Sequence, residues 1–241
     1  MTVPDPAWAG YVRRMRAINK TAARKFEAYL NTHEYLSAAG RKAALDYASA
    51  LATAYGESSA ALACEMYDTA ARAAGMHLQA AEPAATATYG EVAKSVNGIL
   101  KQSENPAYVS SAVERMVKQA GADTTLKNAV RDGAEWAWIP QGETCSFCIM
   151  LASNGWQPAS KATINGRHAE HIHANCDCQF AVRFGGKPRY PGYDPDKYRE
   201  IYDSAEGLTW EEKLNSMRRE EYAANADKIN AQKREAYEKR L

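Results

Sequence analysis

The 241-residue sequence predicts a mainly α protein: a helical N-terminal domain, a small α+β module and a helical C-terminal tail. Three observations predict it. Apolar residues recur at three- and four-residue steps through most of the first 134 positions. Four of the five cysteines and three of the five histidines crowd between Cys145 and Cys178. Beyond a proline- and glycine-rich connector, a charged stretch opens on a helix-capping pattern. These place the boundaries at 1–134, 135–186 and 187–241.

Composition narrows the classes. With 46% hydrophobic and 24% charged residues, the chain reads as an ordinary globular protein, long enough to bury a sizeable core. Its net charge of +1 argues for no particular partner, so any electrostatic role must come from local clustering. No run approaches the ~18 apolar residues of a membrane span, so no membrane partner is expected. The start, MTVPDPAWAG, lacks the charged and apolar regions of a secretory signal, which implies synthesis in a reducing cytoplasm. There, closely spaced cysteines are more often metal ligands or redox groups than disulfides.

The first helix follows Pro4, Asp5 and Pro6, with Trp8, Tyr11, Val12, Met15, Ile18, Ala22, Phe26, Tyr29 and Leu30 on its apolar face. A second face carries Arg13, Arg16, Lys20 and Arg24, with Arg14 and Lys25 beside them. From 11 to 30 there are six basic residues and one acidic, Glu27. Such a stripe suits DNA phosphates or an acidic protein. Without a base-reading or stacking motif, a solvated helix face is the simpler reading.

Gly40 to Gly75 is alanine-rich, with Leu45, Leu51, Leu62, Met66, Tyr47, Tyr55 and Tyr67 as its larger residues. Small side chains and the lack of a sustained heptad predict a bundle rather than a coiled coil. Gly56 marks either a break or a close helix contact. Cys64 reads as a small buried hydrophobe. Pro83 suits the first turn of a helix running to about Gln102. After Asn105-Pro106, a helix carries Tyr108, Val109, Ala112, Val113, Met116 and Val117 to a stop at Gly121, and Asp123 caps a short helix through Leu126 and Val130. His33 and His77 are isolated, and no glycine-rich phosphate loop appears.

The pattern changes at Glu135. Trp136 and Trp138 sit two apart, as on one strand face, and Pro140 to Gly142 turn the chain towards Cys145. Ile149 to Ser153 suit a short helix ended by Asn154-Gly155. Phe180, Val182 and Phe184 alternate as on a second strand. Gly185 to Pro195 reads as an extended arm. Thr209-Trp-Glu-Glu212 is a capping box, and from Glu211 to Leu241 eight basic and seven acidic residues suit a solvated or partner-docking helix. Arg218-Arg-Glu-Glu-Tyr222 is weakly echoed by Lys233-Arg-Glu-Ala-Tyr237.

Cys145-x-x-Cys148 has zinc-knuckle spacing, and His173-Ala-Asn-Cys176-Asp-Cys178 follows. A tetrahedral zinc ion needs four ligands. Cys145, Cys148, His173 and Cys176 are the expected set, with Cys178 the substitute for either of the last two; His168 and His171 are spares. The metal would supply folding free energy to a zinc-knuckle-like module with few apolar residues. The alternative is that the cysteines are reduced and buried, or paired as disulfides. A zinc deaminase needs P-C-x-x-C after H-x-E, whereas here CxxC precedes His168-Ala-Glu170. A redox CxxC lacks its usual βαβ setting. The strongest catalytic alternative is a zinc-stapled nuclease of the HNH type, with His171, His173 and Asn175 as base, metal ligand and orienting residue. A Cys-rich set looks closed, however, while a catalytic zinc keeps an open position. No catalytic residue is therefore assigned.

Cys145-Ser-Phe-Cys-Ile-Met-Leu-Ala-Ser-Asn-Gly155, followed by His173-Ala-Asn-Cys-Asp-Cys178, resembles the C-terminal signature of phage Mu F-like minor head proteins. The resemblance is specific over the cluster and general over the middle of the chain. It departs from many relatives at Ala174, where proline is common, and at Trp156. It implies a non-enzymatic minor capsid or head-morphogenesis protein in the virion, near the portal, acting in procapsid assembly and DNA packaging. Portal and capsid proteins are the implied partners, and the face bearing Arg13, Arg16, Lys20 and Arg24 would lie against packaged DNA.

Overall fold

The computed structural model describes residues 2–142, 144–162 and 177–238. Among them lie eight helices and one three-stranded antiparallel sheet, so the chain is mainly helical. It divides into two units, Met1–Gln141 with Trp156–Tyr193, and Gly142–Gly155 with Asp194–Leu241. Each unit is built from two separate stretches of the chain.

In the first unit, α1 spans Asp5–Thr32. Proline sits in its first turn, where a missing N–H leaves no bond unmade, and Asp5 complements the positive end of the helix. Trp8, Tyr11, Val12, Met15, Ala22, Phe26 and Leu30 are buried, on the face their spacing defined. Helix α2, Ala38–Ala73, begins where the Ser37 hydroxyl accepts the Gly40 N–H at 3.1 Å. It runs unbroken through Gly56. A Cβ there would lie 2.9 Å from Thr86 Cγ2 and 3.5 Å from Ala120 Cβ, so this glycine serves close packing. Ala44, Ala48, Ala52, Ala60, Ala63 and Ala70 bring neighbouring helices in on the same principle.

Pro83 does not begin a helix. Helix α3 spans Tyr89–Leu100 and is opened by a capping box in which Thr88 and Glu91 each accept the other's backbone N–H. Before it, 76–88 forms a non-helical strap whose backbone groups pair with side chains. Asp68 accepts the Ala81 N–H and Thr124 accepts that of Ala84, both at 2.9 Å. Arg131 donates to the carbonyls of Gln79 and Ala80. These bonds satisfy groups that a helix would otherwise pair internally.

Helix α4, Pro106–Asp132, is continuous through Gly121 and Asp123, so the expected stop and second cap are both corrected. A helix-interior glycine costs only about 1 kcal/mol, which packing readily offsets. Here a Cβ on Gly121 would lie 2.6 Å from Ser59 Oγ and 3.1 Å from Met15 Cε, so the glycine seats α4 against α1 and α2. The helix ends at Gly133, whose φ of 62° is the left-handed conformation that glycine adopts without strain.

Strand β1, Glu135–Ile139, lies between β2, Gln157–Pro158, and β3, Gln179–Arg183. Trp136 faces Val182 and Trp138 faces Phe180 across β1 and β3. Ala137 and Ala181 between them are also buried, because β3 packs on α2 and α4. The tryptophan strand is therefore part of the helical unit's core. Nor do 185–193 form an extended arm: Val3 N donates to Arg189 O at 2.9 Å. The Tyr190 hydroxyl donates to Val182 O at 2.7 Å, and its ring meets Trp8 edge-on at 4.8 Å.

The second unit contains α5 (Ser146–Ser153), α6 (Pro195–Ser204), α7 (Trp210–Ala224) and α8 (Ala226–Glu238). Helix α5 starts three residues before the expected Ile149 and ends at Asn154-Gly155 as expected. It packs on α6 and α7. Thr209 and Glu212 form the anticipated capping box on α7, which buries Leu214 and Met217. The charged tail is two helices divided at Asn225.

Candidate functional site

The CxxC pair lies on one helix start. Cys145 is the N-cap of α5, with extended backbone, and is half-buried; Cys148 lies one turn on and is buried. Residues three apart on a helix share a face, so both thiolates can be offered to one ion. The Ser146 N–H and hydroxyl both donate to one Glu221 carboxylate oxygen of α7, at 3.1 and 2.5 Å. That clamp fixes the turn between the two cysteines. The first turn of a helix also favours negative charge, which suits thiolate ligands.

Cys178 belongs to the first unit and is buried just before β3. Its neighbour Asp177 pairs with Arg16 of α1 at 2.9 Å, and Gln179 Nε2 donates to the Asp177 carbonyl at 3.0 Å. The segment leading into β3 is therefore tied to the first helix. His173 and Cys176 lie outside the described residues, as do His168, His171 and Asn175. Among the described residues, no three His, Cys, Asp or Glu side chains gather into a metal-binding group. Thiolates one helical turn apart match the donor chemistry of zinc.

The basic stripe is divided between partners and solvent. Arg16 is engaged by Asp177, and Arg14 pairs with Glu65 at 3.1 Å. Arg24 Nε donates to the Lys20 carbonyl of its own helix, and Lys25 lies over the Tyr55 ring. Arg13, Lys20 and Arg24 are exposed. The stripe as read from spacing therefore includes one residue, Arg16, that helps hold the fold. Cys64 is half-buried on α2, and burial pushes its thiol pKa up.

Two features went unnoticed in the sequence. Glu114 and Lys118 are buried on α4, with Lys118 Nζ 5.7 Å from the centroid of the Trp138 ring. Their i, i+4 spacing and the neighbouring Val113 and Val117 were the available signal. The second is the turn before α7, where Leu208 is 99% and Trp210 is 55% exposed. Its capping pattern was legible, but the exposure of its apolar side chains was not. Tyr11, Tyr67 and Tyr190 are buried phenols whose pKa values burial raises above their usual range, so they remain neutral packing groups.

No helix among the described residues is long and apolar enough to cross a membrane. A family model described as VG15 protein matches residues 2–205, a span that includes both halves of the cysteine cluster and ends just after α6. The match points to a phage or viral protein. No curated protein and no solved structure matches the chain.

Proposed function

The chain belongs to the VG15 protein family, and on that premise we propose that it is a structural minor capsid or head-morphogenesis protein of a tailed phage. In this reading it acts near the portal, within the virion, during procapsid assembly and DNA packaging. The observation that carries it is the family match over 2–205, which spans the Cys145–Cys178 stretch resembling Mu F-like minor head proteins. The packed helical interior supports a scaffold role. So does the use of polar and charged side chains such as Asp68, Asn128 and Arg131 as backbone ties.

For the cysteine stretch we assign a structural zinc ion to Cys145, Cys148, His173 and Cys176, with Cys178 the substitute for either of the last two. Arg13, Lys20 and Arg24 meet packaged DNA, and portal and capsid subunits are the protein partners. The nuclease alternative rests on His171, His173 and Asn175, and nothing among the described residues adds to it.

Particle composition tests the proposal. Peptides of this chain should appear in purified procapsids and mature particles at a fixed ratio to the portal protein. Their absence from every particle form would sink the structural role. Cleavage of plasmid DNA by the purified chain with divalent metal, lost on His171→Ala, would favour the nuclease instead.

A further inference from the structure

We infer that the α6–α7 turn is a preformed docking knob, in which Leu208 and Trp210 enter an apolar socket rimmed by lysine or arginine on another protein of the particle. Leu208 is 99% and Trp210 is 55% exposed, although most large apolar side chains of this chain are buried. A displayed leucine and tryptophan cost solvation free energy unless a partner covers them, and tryptophan is prominent among residues that dominate binding energy.

The turn that displays them is held from several directions. Glu212 accepts the backbone N–H groups of Leu208 and Thr209, at 2.7 and 3.1 Å, and the Thr209 hydroxyl accepts the Glu212 N–H at 3.2 Å. These backbone bonds hold the Glu212 carboxyl below its ordinary pKa, so the clamp stays charged. Lys213 Nζ donates to the carbonyls of Tyr202 and Asp203, closing the end of α6 onto the start of α7, and lies 5.1 Å from the centroid of the Tyr202 ring. Gly207, at φ 133°, leaves no room for a Cβ, which would lie 2.6 Å from that of Glu212. A turn fixed in this way loses little conformational entropy on binding.

Charge identifies the partner. From Ile201 to Glu212 the chain carries Asp203, Glu206, Glu211 and Glu212 and no lysine or arginine. With Lys213 tied into the turn against these four carboxylates, the apolar projection sits in a net acidic surround, complementary to an apolar pocket with a basic rim, and that charge should act mainly on the association rate. The knob lies beyond the residues matched by the family model. Naming its partner as a particle component rests on the function proposed above.

The test uses the full-length chain, with the portal and major capsid proteins of the same genome as probes in a surface-binding assay. Leu208→Ala combined with Trp210→Ala should weaken binding to one probe at least ~10-fold. The triple variant Asp203→Asn, Glu206→Gln, Glu211→Gln should slow association and weaken its dependence on salt. Tyr108→Ala, at a 67% exposed position on α4, should bind as the wild type does. Matching thermal melts for all variants establish that each is folded. Unchanged binding by the double variant overturns the inference, as does failure of the wild type to bind either probe. Self-association of the wild type that is lost in the double variant overturns it in favour of a second copy. Absence of the wild-type chain from particles instead refutes the proposed function. Equal incorporation of wild type and double variant refutes the knob alone.

Discussion

Asn128 of α4 and Glu82 of the strap hold each other through two hydrogen bonds. The Glu82 N–H donates to Asn128 Oδ1 at 2.9 Å, and Asn128 Nδ2 donates to the Glu82 carbonyl at 2.8 Å. A buried amide thus does for one strap residue what a neighbouring strand would do. Asn128→Ala leaves both backbone groups to find other partners and should lower stability by about 2–3 kcal/mol. Asn128→Asp keeps the size but loses the donor, and should be destabilised similarly at neutral pH. Urea unfolding of the three proteins measures this; hydrogen exchange at Glu82 should rise in both variants.

Two helical glycines predict opposite signs. Gly121→Ala places a methyl group against the buried Ser59 hydroxyl, which donates to Met15 Sδ at 3.0 Å. It should destabilise by about 1–3 kcal/mol through overpacking. Gly98→Ala, on an exposed position of α3 with nothing within 4 Å of the new methyl, should stabilise by up to about 1 kcal/mol. Thermal melts of the pair distinguish a packing glycine from a merely tolerated one.

The Glu135–Arg183 pair joins directly opposed residues of β1 and β3 through two hydrogen bonds, at 2.8 and 2.9 Å. Those bonds from Arg183 hold the Glu135 carboxyl below its ordinary value of 4.5. A depressed folded-state pKa adds stability above the unfolded value and loses it as pH falls through the folded one. Glu135→Gln should therefore cost stability at pH 7 and flatten the decline below about pH 4.5. Parallel acid limbs for both proteins would contradict the assignment.

Metal content tests the cysteine stretch. The purified chain should carry about one zinc ion, the stoichiometry of a closed four-ligand site. Cys145→Ser and Cys148→Ser should each lose it and lower the melting temperature, while Cys64→Ser should keep it. Comparing His173→Ala, Cys176→Ser and Cys178→Ser decides which two complete the set. A metal-free chain whose melt is unaffected by chelator would contradict a staple.

The helical class was legible because α1 repeats large apolar residues over seven turns, and the tryptophan strand because Trp136 and Trp138 alternate before a clear turn. Pro83 and Gly121 misled for a common reason. Each is a local signal whose meaning depends on side chains distant in sequence: Asn128 and Arg131 tie down the strap, and Ser59 presses on α4. The pairing of β1 with β3 was equally hidden, since strand partners are set by long-range packing. Of the candidate ligands, spacing revealed the CxxC turn, but the Glu221 clamp on Ser146 comes from 75 residues away. The exposed Leu208 and Trp210 follow a helix cap that is readable, while their lack of cover is a property only of the folded chain.

The most direct test of the account is the yield of DNA-filled heads from a phage genome in which this reading frame alone is deleted. A structural head protein predicts loss of filled heads, restored by supplying the wild-type chain in trans. Filled heads at the wild-type yield would contradict it.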